Sequence, residues 1–305
     1  MIERKPQVNY IYPLIAVLLW GTNTVVTKLC AGHIAPIEIG FYRWVVAVIV
    51  LTPFAAKGIV AHWKNVKTFA PKIATLGVLG GVIFQCVAYY AANYTTATKM
   101  GIVQGLYPLL AIILAIIFLG FRATVGTVVG SAISLSGVLL VVSGGNINAL
   151  ISEGINRGDT MMLLAVLAFT LYNFLLHKWQ IQLPLLQSVF LQALVAMVVL
   201  LPIYLWVPHS TLTWELGGYI AFAGVASSIL APLVWITGLR ILGSTRVAPF
   251  FNLTPIVTTA LAVWVLGETI TVAIAIGGAL AILGVIVSEY WREKDVIIKN
   301  ENPVV

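Results

Sequence analysis

The chain has 305 residues, 60% of them hydrophobic and only 9% charged, with a mean hydropathy of +1.02. Soluble domains carry about 25% charged residues, so an ordinary water-soluble globule is excluded. The formal net charge of +7 does not require nucleic acid, because apolar runs of about 20 residues recur end to end and cytoplasmic loops between such runs collect Lys and Arg.

Hydropathy predicts ten membrane spans, at 10–30, 36–56, 70–93, 98–119, 124–144, 159–178, 184–206, 217–239, 247–267 and 271–291. The basic start "MIERKPQVNY" runs into the first span without a small-x-small cleavage site, so it reads as retained rather than as a signal peptide. Within that span, "LWGTNTVVTK" carries Trp20, Asn23, Thr24, Thr27 and Lys28. At about 100° per residue all five fall in one stripe, with Thr22 opposite. A Lys at mid-bilayer costs about 2.5–3.5 kcal/mol on insertion scales, so the stripe points to a wet or protein-lined cavity. For Lys28 two readings stand, a place in that cavity or a side chain reaching back to the interface.

Arg43 sits seven residues into the second span, about 140° around the helix from Glu38. It either ties that span to a neighbour or meets a carboxylate or phosphate of a ligand. In the third span Gln85, Tyr89 and Ala92 share a face, and in the fourth Gln104, Tyr107 and Pro108 do so. The stretch 57–69 reads as a loop, and "SGGNINALISEGINRGD" as a linker between halves. Beyond it the sixth span offers Tyr172, Asn173 and His177, the eighth Ser228, Pro232 and Trp235, and the ninth Asn252, Pro255 and Thr259. A proline inside a span frees the carbonyl four residues earlier, here that of Gln104 and of Phe251. Pro108 and Pro255 therefore mark either a gating bend or a plain packing kink. The fifth and tenth spans carry small residues four apart, Gly126/Gly130 and Ala273/Gly277, which lets helices approach closely. They read as scaffold or dimer surface. Cys30 and Cys86 lie in apolar runs without metal or redox spacing and read as small core residues.

Charge orients the chain. With the N-terminus inside, 13 of the 17 Lys and Arg residues fall on the cytoplasmic side and only Lys99 and Arg157 outside. Both termini are therefore expected in the cytoplasm. An offset of 147 residues lays Pro108 on Pro255, Gly130 on Gly277, Gly137-Val138 on Gly284-Val285 and Gly77-Val78 on Gly224-Val225. The halves read as diverged copies of a five-span unit, and because five is odd the second copy must be inverted, as in many secondary transporters.

"WGTNTVVTK", "PIEIGFYRW", "LYPLLAIILAIIFLG" and "LTPIVTTALAVWVLGETIT" resemble the EamA-type members of the drug/metabolite transporter superfamily. The resemblance covers nearly the whole chain, with Phe121 where the first repeat ordinarily has Glu and with Glu268 kept in the second. It implies an all-α membrane protein with two inverted five-helix repeats around a central cavity, at 1–145 and 159–291, a linker at 146–158 and a cytoplasmic tail at 292–305. It also implies export or exchange of small metabolites.

Rival classes find little support. There are no paired acids, metal-spaced His or nucleophile for an embedded enzyme, and no P-loop or GxGxxG to bring in ATP. A channel would be a symmetric oligomer of short subunits, and a sensor would need a soluble domain. The expected protein is a bacterial inner-membrane carrier without cofactor, metal or nucleic-acid partner, a monomer or homodimer, that exports amino acids or related amphiphilic metabolites. The alternative is an exchanger of phosphorylated or sugar-linked anions, which would want more buried cations than Lys28 and Arg43. Proton antiport, exchange and facilitated diffusion all stay open.

Overall fold

The structure is a computed structural model that describes residues 9–119, 125–146, 156–242 and 247–301. Phe121, Arg122, Arg246 and most of the expected linker lie outside the described residues. Among the described residues there are helices and turns and no strands.

In chain order the helices are α1 (Ile11–Cys30), α2 (Pro36–Ala61), α3 (Trp63–Ala91), α4 (Ala97–Gln104 and Tyr107–Leu119), α5 (Val125–Val142), α6 (Arg157–Trp179), α7 (Leu185–Trp206), α8 (Trp214–Leu242), α9 (Thr254–Leu266) and α10 (Val272–Glu301). Seven of them, α1 to α4 and α6 to α8, are long and apolar enough to cross a membrane, and Val128–Val142, Phe250–Leu266 and Val272–Val287 are shorter apolar helices. Large apolar side chains face outward along the bundle, among them Ile49, Phe54 and Trp264, each at least 66% exposed. In a soluble protein such a surface would aggregate. Here it faces lipid, and the protein is a multi-pass membrane protein.

The 57–69 stretch is helical rather than a loop. α2 runs on to Ala61, and only His62 separates it from Trp63, where α3 begins. Lys64, Lys67, Thr68 and Trp63 are exposed there while Val66 is buried, so the polar residues read as loop are the solvent face of an amphipathic turn. With 26 and 29 residues, α2 and α3 are about 39 and 43 Å long and overreach a hydrocarbon core of about 30 Å.

Four helices are irregular, and the irregularities pair up. α3 is π-helical over Gly77–Phe84 and α8 over Phe222–Leu230. α4 breaks at Gly105–Leu106, and a 3₁₀ run over Ala248–Leu253 precedes α9. The two prolines expected to bend continuous helices instead start new ones. Pro108 and Pro255 are each the second residue of a helical segment, where a missing N–H costs nothing.

Packing follows apolar faces. α2 lies along α7, α1 along α8 and α9, α6 along α3 and α4, and α5 along α10. The last pair meets backbone to backbone. A Cβ on Gly277 would sit 2.6 Å from the Gly137 carbonyl oxygen, and one on Gly137 would sit 2.5 Å from the Gly277 carbonyl oxygen. α5 and α10 thus use their small residues on each other.

Candidate functional site

The stripe on α1 meets the other halves of its cluster in the middle of the bundle. The Trp20 ring centroid lies 5.5 Å from that of Trp235 on α8 and 5.9 Å from that of Phe251 in the 3₁₀ run. Tyr107, at the restart of α4, lies 4.9 Å from Phe251 and 5.4 Å from Phe169 on α6. Phe169 in turn contacts Phe84 of α3 at 4.6 Å and Tyr172 at 5.9 Å. The two helix breaks create this meeting, because each presents an aromatic residue where a straight helix would have carried on. Trp20, Tyr107, Tyr172 and Trp235 were expected in a cavity wall, and all four are partly buried in one ring cluster. Phe84, Phe169 and Phe251 were not expected, since a Phe in an apolar span gives no signal apart from its neighbours.

A polar patch adjoins the rings. The Gln104 amide donates to the Thr24 hydroxyl at 3.2 Å, and Thr24 donates to the Trp20 carbonyl at 3.3 Å. Thr27 donates to the Asn23 backbone carbonyl at 2.8 Å. The Asn23 side-chain oxygen is buried and has no hydrogen-bond partner among the described residues. Asn173 turns its amide back onto the Phe169 carbonyl at 2.8 Å. Asn252 does not join the patch. With Ile102, Gly105, Pro255 and Gly278 it lines a separate narrow cleft between α4, α9 and α10. Thr259 is partly buried on α9, one turn beyond Pro255.

Arg43 forms a second polar knot. It is 1% exposed, and its guanidinium spends every N–H on neutral oxygens. Nε donates to Ser228 at 3.1 Å, Nη1 to Gln85 and to Tyr89 (3.1 Å), and Nη2 to Ser228 (2.7 Å), Ser227 (3.3 Å) and the Ala223 carbonyl (3.1 Å). Next to it, the Trp44 indole donates to the Gly81 carbonyl at 2.8 Å. Adjacent residues of α2 therefore serve carbonyls in the two π-helical segments, one each. π-helical turns are found frequently at functional sites. Among the described residues Arg43 has no carboxylate partner. Glu38 instead accepts from the Ala35 and Ser210 backbone N–H groups at 3.2 and 3.0 Å and lies 3.4 Å from His209.

Lys28 stands apart from the ring cluster. Its ammonium donates to the carbonyls of Ala92 and Thr95 at 2.6 and 2.7 Å, where α3 ends. Cations are favoured at such an end by the exposed carbonyls and the helix dipole. Around it, Thr95 donates to Asp159, Lys99 pairs with Asp159 at 3.5 Å, and the Glu268 carboxylate accepts from the Ala97 and Thr98 N–H groups at 2.7 and 2.9 Å. Glu38 and Asp159 lie in the first turns of α2 and α6 and Glu268 just beyond the end of α9, and each binds a second element. These ties all lie at the end of the bundle that holds the 31–35 and 92–96 turns.

An outward apolar belt, helices that break at mid-length, and a ring-lined polar centre define a membrane transport protein rather than a soluble binding module. The profile of the EamA-like transporter family matches residues 8–143 and again residues 156–290, and the chain belongs to that family. It is 28% identical to the uncharacterized transporter YyaM of Bacillus subtilis over 272 residues, covering 87% of this chain and 88% of that one. It is 22% identical over 294 residues to a protein of Rickettsia prowazekii named as an S-adenosylmethionine uptake transporter, with 95% of each chain covered. A solved crystal structure superposes with a TM-score of 0.63 at 17% identity, over 95% of this chain and 99% of the other, a likeness of fold.

Proposed function

We propose that the chain is a secondary carrier of ten spans, built as two inverted repeats at 1–145 and 159–291 and working by alternating access across a bacterial inner membrane. In this reading both termini are cytoplasmic, and the end that carries Lys28, Asp159 and Glu268 faces outward. Three features support the inverted repeat. The family profile matches twice. The paired irregularities of α3 with α8 and of α4 with α9 fall at the 147-residue offset, within about two residues. The packing pairs are also closed under exchange of halves, since α1 on α8 and α9 answers to α6 on α3 and α4.

The ring cluster carries the substrate reading. Its members come from both proposed halves, Trp20, Phe84 and Tyr107 from the first and Phe169, Tyr172, Trp235 and Phe251 from the second. A solute held there touches both repeats, as alternating access requires. Aromatic faces beside amide and hydroxyl groups suit an amino acid or a related amphiphilic metabolite, and the candidate wall is Trp20, Asn23, Thr24, Thr27, Gln104, Tyr107, Tyr172 and Trp235. The named solute of the Rickettsia relative is itself an amino-acid derivative, and its stated direction is uptake. Export is the direction proposed here. The alternative, exchange of a phosphorylated or sugar-linked anion, draws on one observation, the uncompensated charge of Arg43.

The test is flux in proteoliposomes with a panel of amino acids and organic anions, run in both directions, with and without a pH gradient. Saturable movement of an amino acid without movement of phosphorylated anions supports the reading. Movement of the anions alone overturns it.

A further inference from the structure

Asn23 is one of two places among the described residues, Gln187 being the other, where a buried side-chain amide oxygen has no partner. An unmet buried carbonyl is costly to fold around, and the polar side chains next to it on α1 and in the adjoining patch are already engaged. Thr24 and Thr27 give their hydroxyl protons to helix carbonyls, and the Gln104 amide is turned to Thr24. The unpaired hydroxyls of Thr98, Ser134 and Thr254 differ, because a rotor can reach its own helix's carbonyls, and Gln187 of α7 lies against Gly58 of α2 rather than among the rings. The missing partner of a carbonyl is a donor.

The surroundings narrow the kind of donor. Trp20 lies one turn from Asn23 and packs at a tilt against Trp235 and Phe251, and ring faces attract cations. The described carboxylates are committed elsewhere, Glu38, Asp159 and Glu268 at helix ends and Glu215 to Tyr219. The Arg43 N–H groups are committed as well. An anionic head here would find aromatic faces and a bare carbonyl, which both repel it.

We propose that Asn23 and the Trp20/Trp235 faces form an amine subsite, in which a protonated amine donates to Asn23 Oδ1 and the flat or apolar body of the same molecule lies among the rings. This deepens the carrier reading and rests on it, since it assigns which end of an amphiphilic solute enters the ring cluster.

Two probes that share a phenethyl body and carry opposite charge test it, phenethylamine and 3-phenylpropionate, titrated by calorimetry into the full chain in nanodiscs with empty nanodiscs as the blank. Phenethylamine should bind at least about tenfold more tightly than 3-phenylpropionate. Asn23→Leu should weaken phenethylamine by about 10- to 150-fold, the worth of one hydrogen bond to a charged group. Asn23→Asp, which keeps the shape and adds a charge, should tighten it. Equal binding of the two probes by the native chain overturns the proposal. So does unchanged phenethylamine binding in both variants, and so does no binding of phenethylamine at millimolar concentration. In any of these cases saturable flux of other solutes would leave the carrier reading standing, whereas no flux of any solute would sink that reading on its own account.

Discussion

Gly277→Ala is the most direct test of how the bundle is held together. The new methyl carbon would lie 2.6 Å from the Gly137 carbonyl oxygen and 2.7 Å from Val141 Cγ2. Ordinary contact begins near 3.4 Å, so α5 and α10 must part by about 0.8 Å, and a gap of that size forfeits a quarter to a half of each neighbouring contact's attraction. Overpacking of this kind costs about 1–3 kcal/mol, while Ala in place of a mid-helix Gly returns about 0.5–1 kcal/mol. The net loss is roughly 0–2.5 kcal/mol by the difference of those two ranges, about 1 at their centres. Gly217→Ala in α8 is the control, because a Cβ there meets nothing within 4 Å and only the favourable contribution remains. Thermal unfolding in detergent can be followed with a thiol-reactive dye, since the two free cysteines, Cys30 and Cys86, are both buried. Gly277→Ala should melt below the parent protein and Gly217→Ala at or above it. If Gly277→Ala is as stable as Gly217→Ala, the close approach of α5 and α10 is not what holds them.

Glu268→Gln should loosen the start of α4, because an amide can cap only one of the two N–H groups that the carboxylate accepts. A cysteine at the buried position Ala97 should then label about 10- to 150-fold faster, the equivalent of one charge-assisted hydrogen bond, and an unchanged rate would deny Glu268 that role. Arg43→Lys keeps the charge but drops from five donors to three, so two or more bonds of about 0.6–1.7 kcal/mol each in membrane proteins are lost. The dye-monitored melt should fall accordingly, and an unshifted melt would mean the fork geometry is not needed. A reporter fused after Lys299 and another inserted at His62 should both read as cytoplasmic, and an external signal from either would refute the proposed orientation.

Periodicity made much of this molecule readable in advance, but only where polarity varied along a span. Trp20, Asn23 and Thr24 were placed together because they interrupt an apolar run on one helical face. Phe84, Phe169 and Phe251 were invisible for the opposite reason, as each sits among residues equally at home in lipid. The partners of Lys28 were hidden too, since two backbone carbonyls carry no residue-type signal. The prolines were recognised as special, yet the sequence alone does not distinguish a kink within a helix from the start of a new one. The pairing of Gly77–Phe84 with Phe222–Leu230 could have been suspected from the repeated Gly-Val at the 147-residue offset. Their contacts with α2, through Arg43 to the Ala223 carbonyl and Trp44 to the Gly81 carbonyl, are a tertiary matter.

The reach of Arg43 along the chain bears on how the protein is made. Two of its acceptors, Gln85 and Tyr89, follow it by 42 and 46 residues, but Ser227 and Ser228 come 184 and 185 residues later. At about 5–20 residues per second, a ribosome needs roughly 10–40 s to cover that distance. Through that interval the second helix must leave the insertion machinery with its cation only half served. The arrival of the eighth helix then completes the set, so a nascent chain halted before residue 223 exposes a mark of incompleteness that the finished protein no longer shows. A charge left partly unmet in the membrane is costly, so half-made and whole chains differ physically at this one residue.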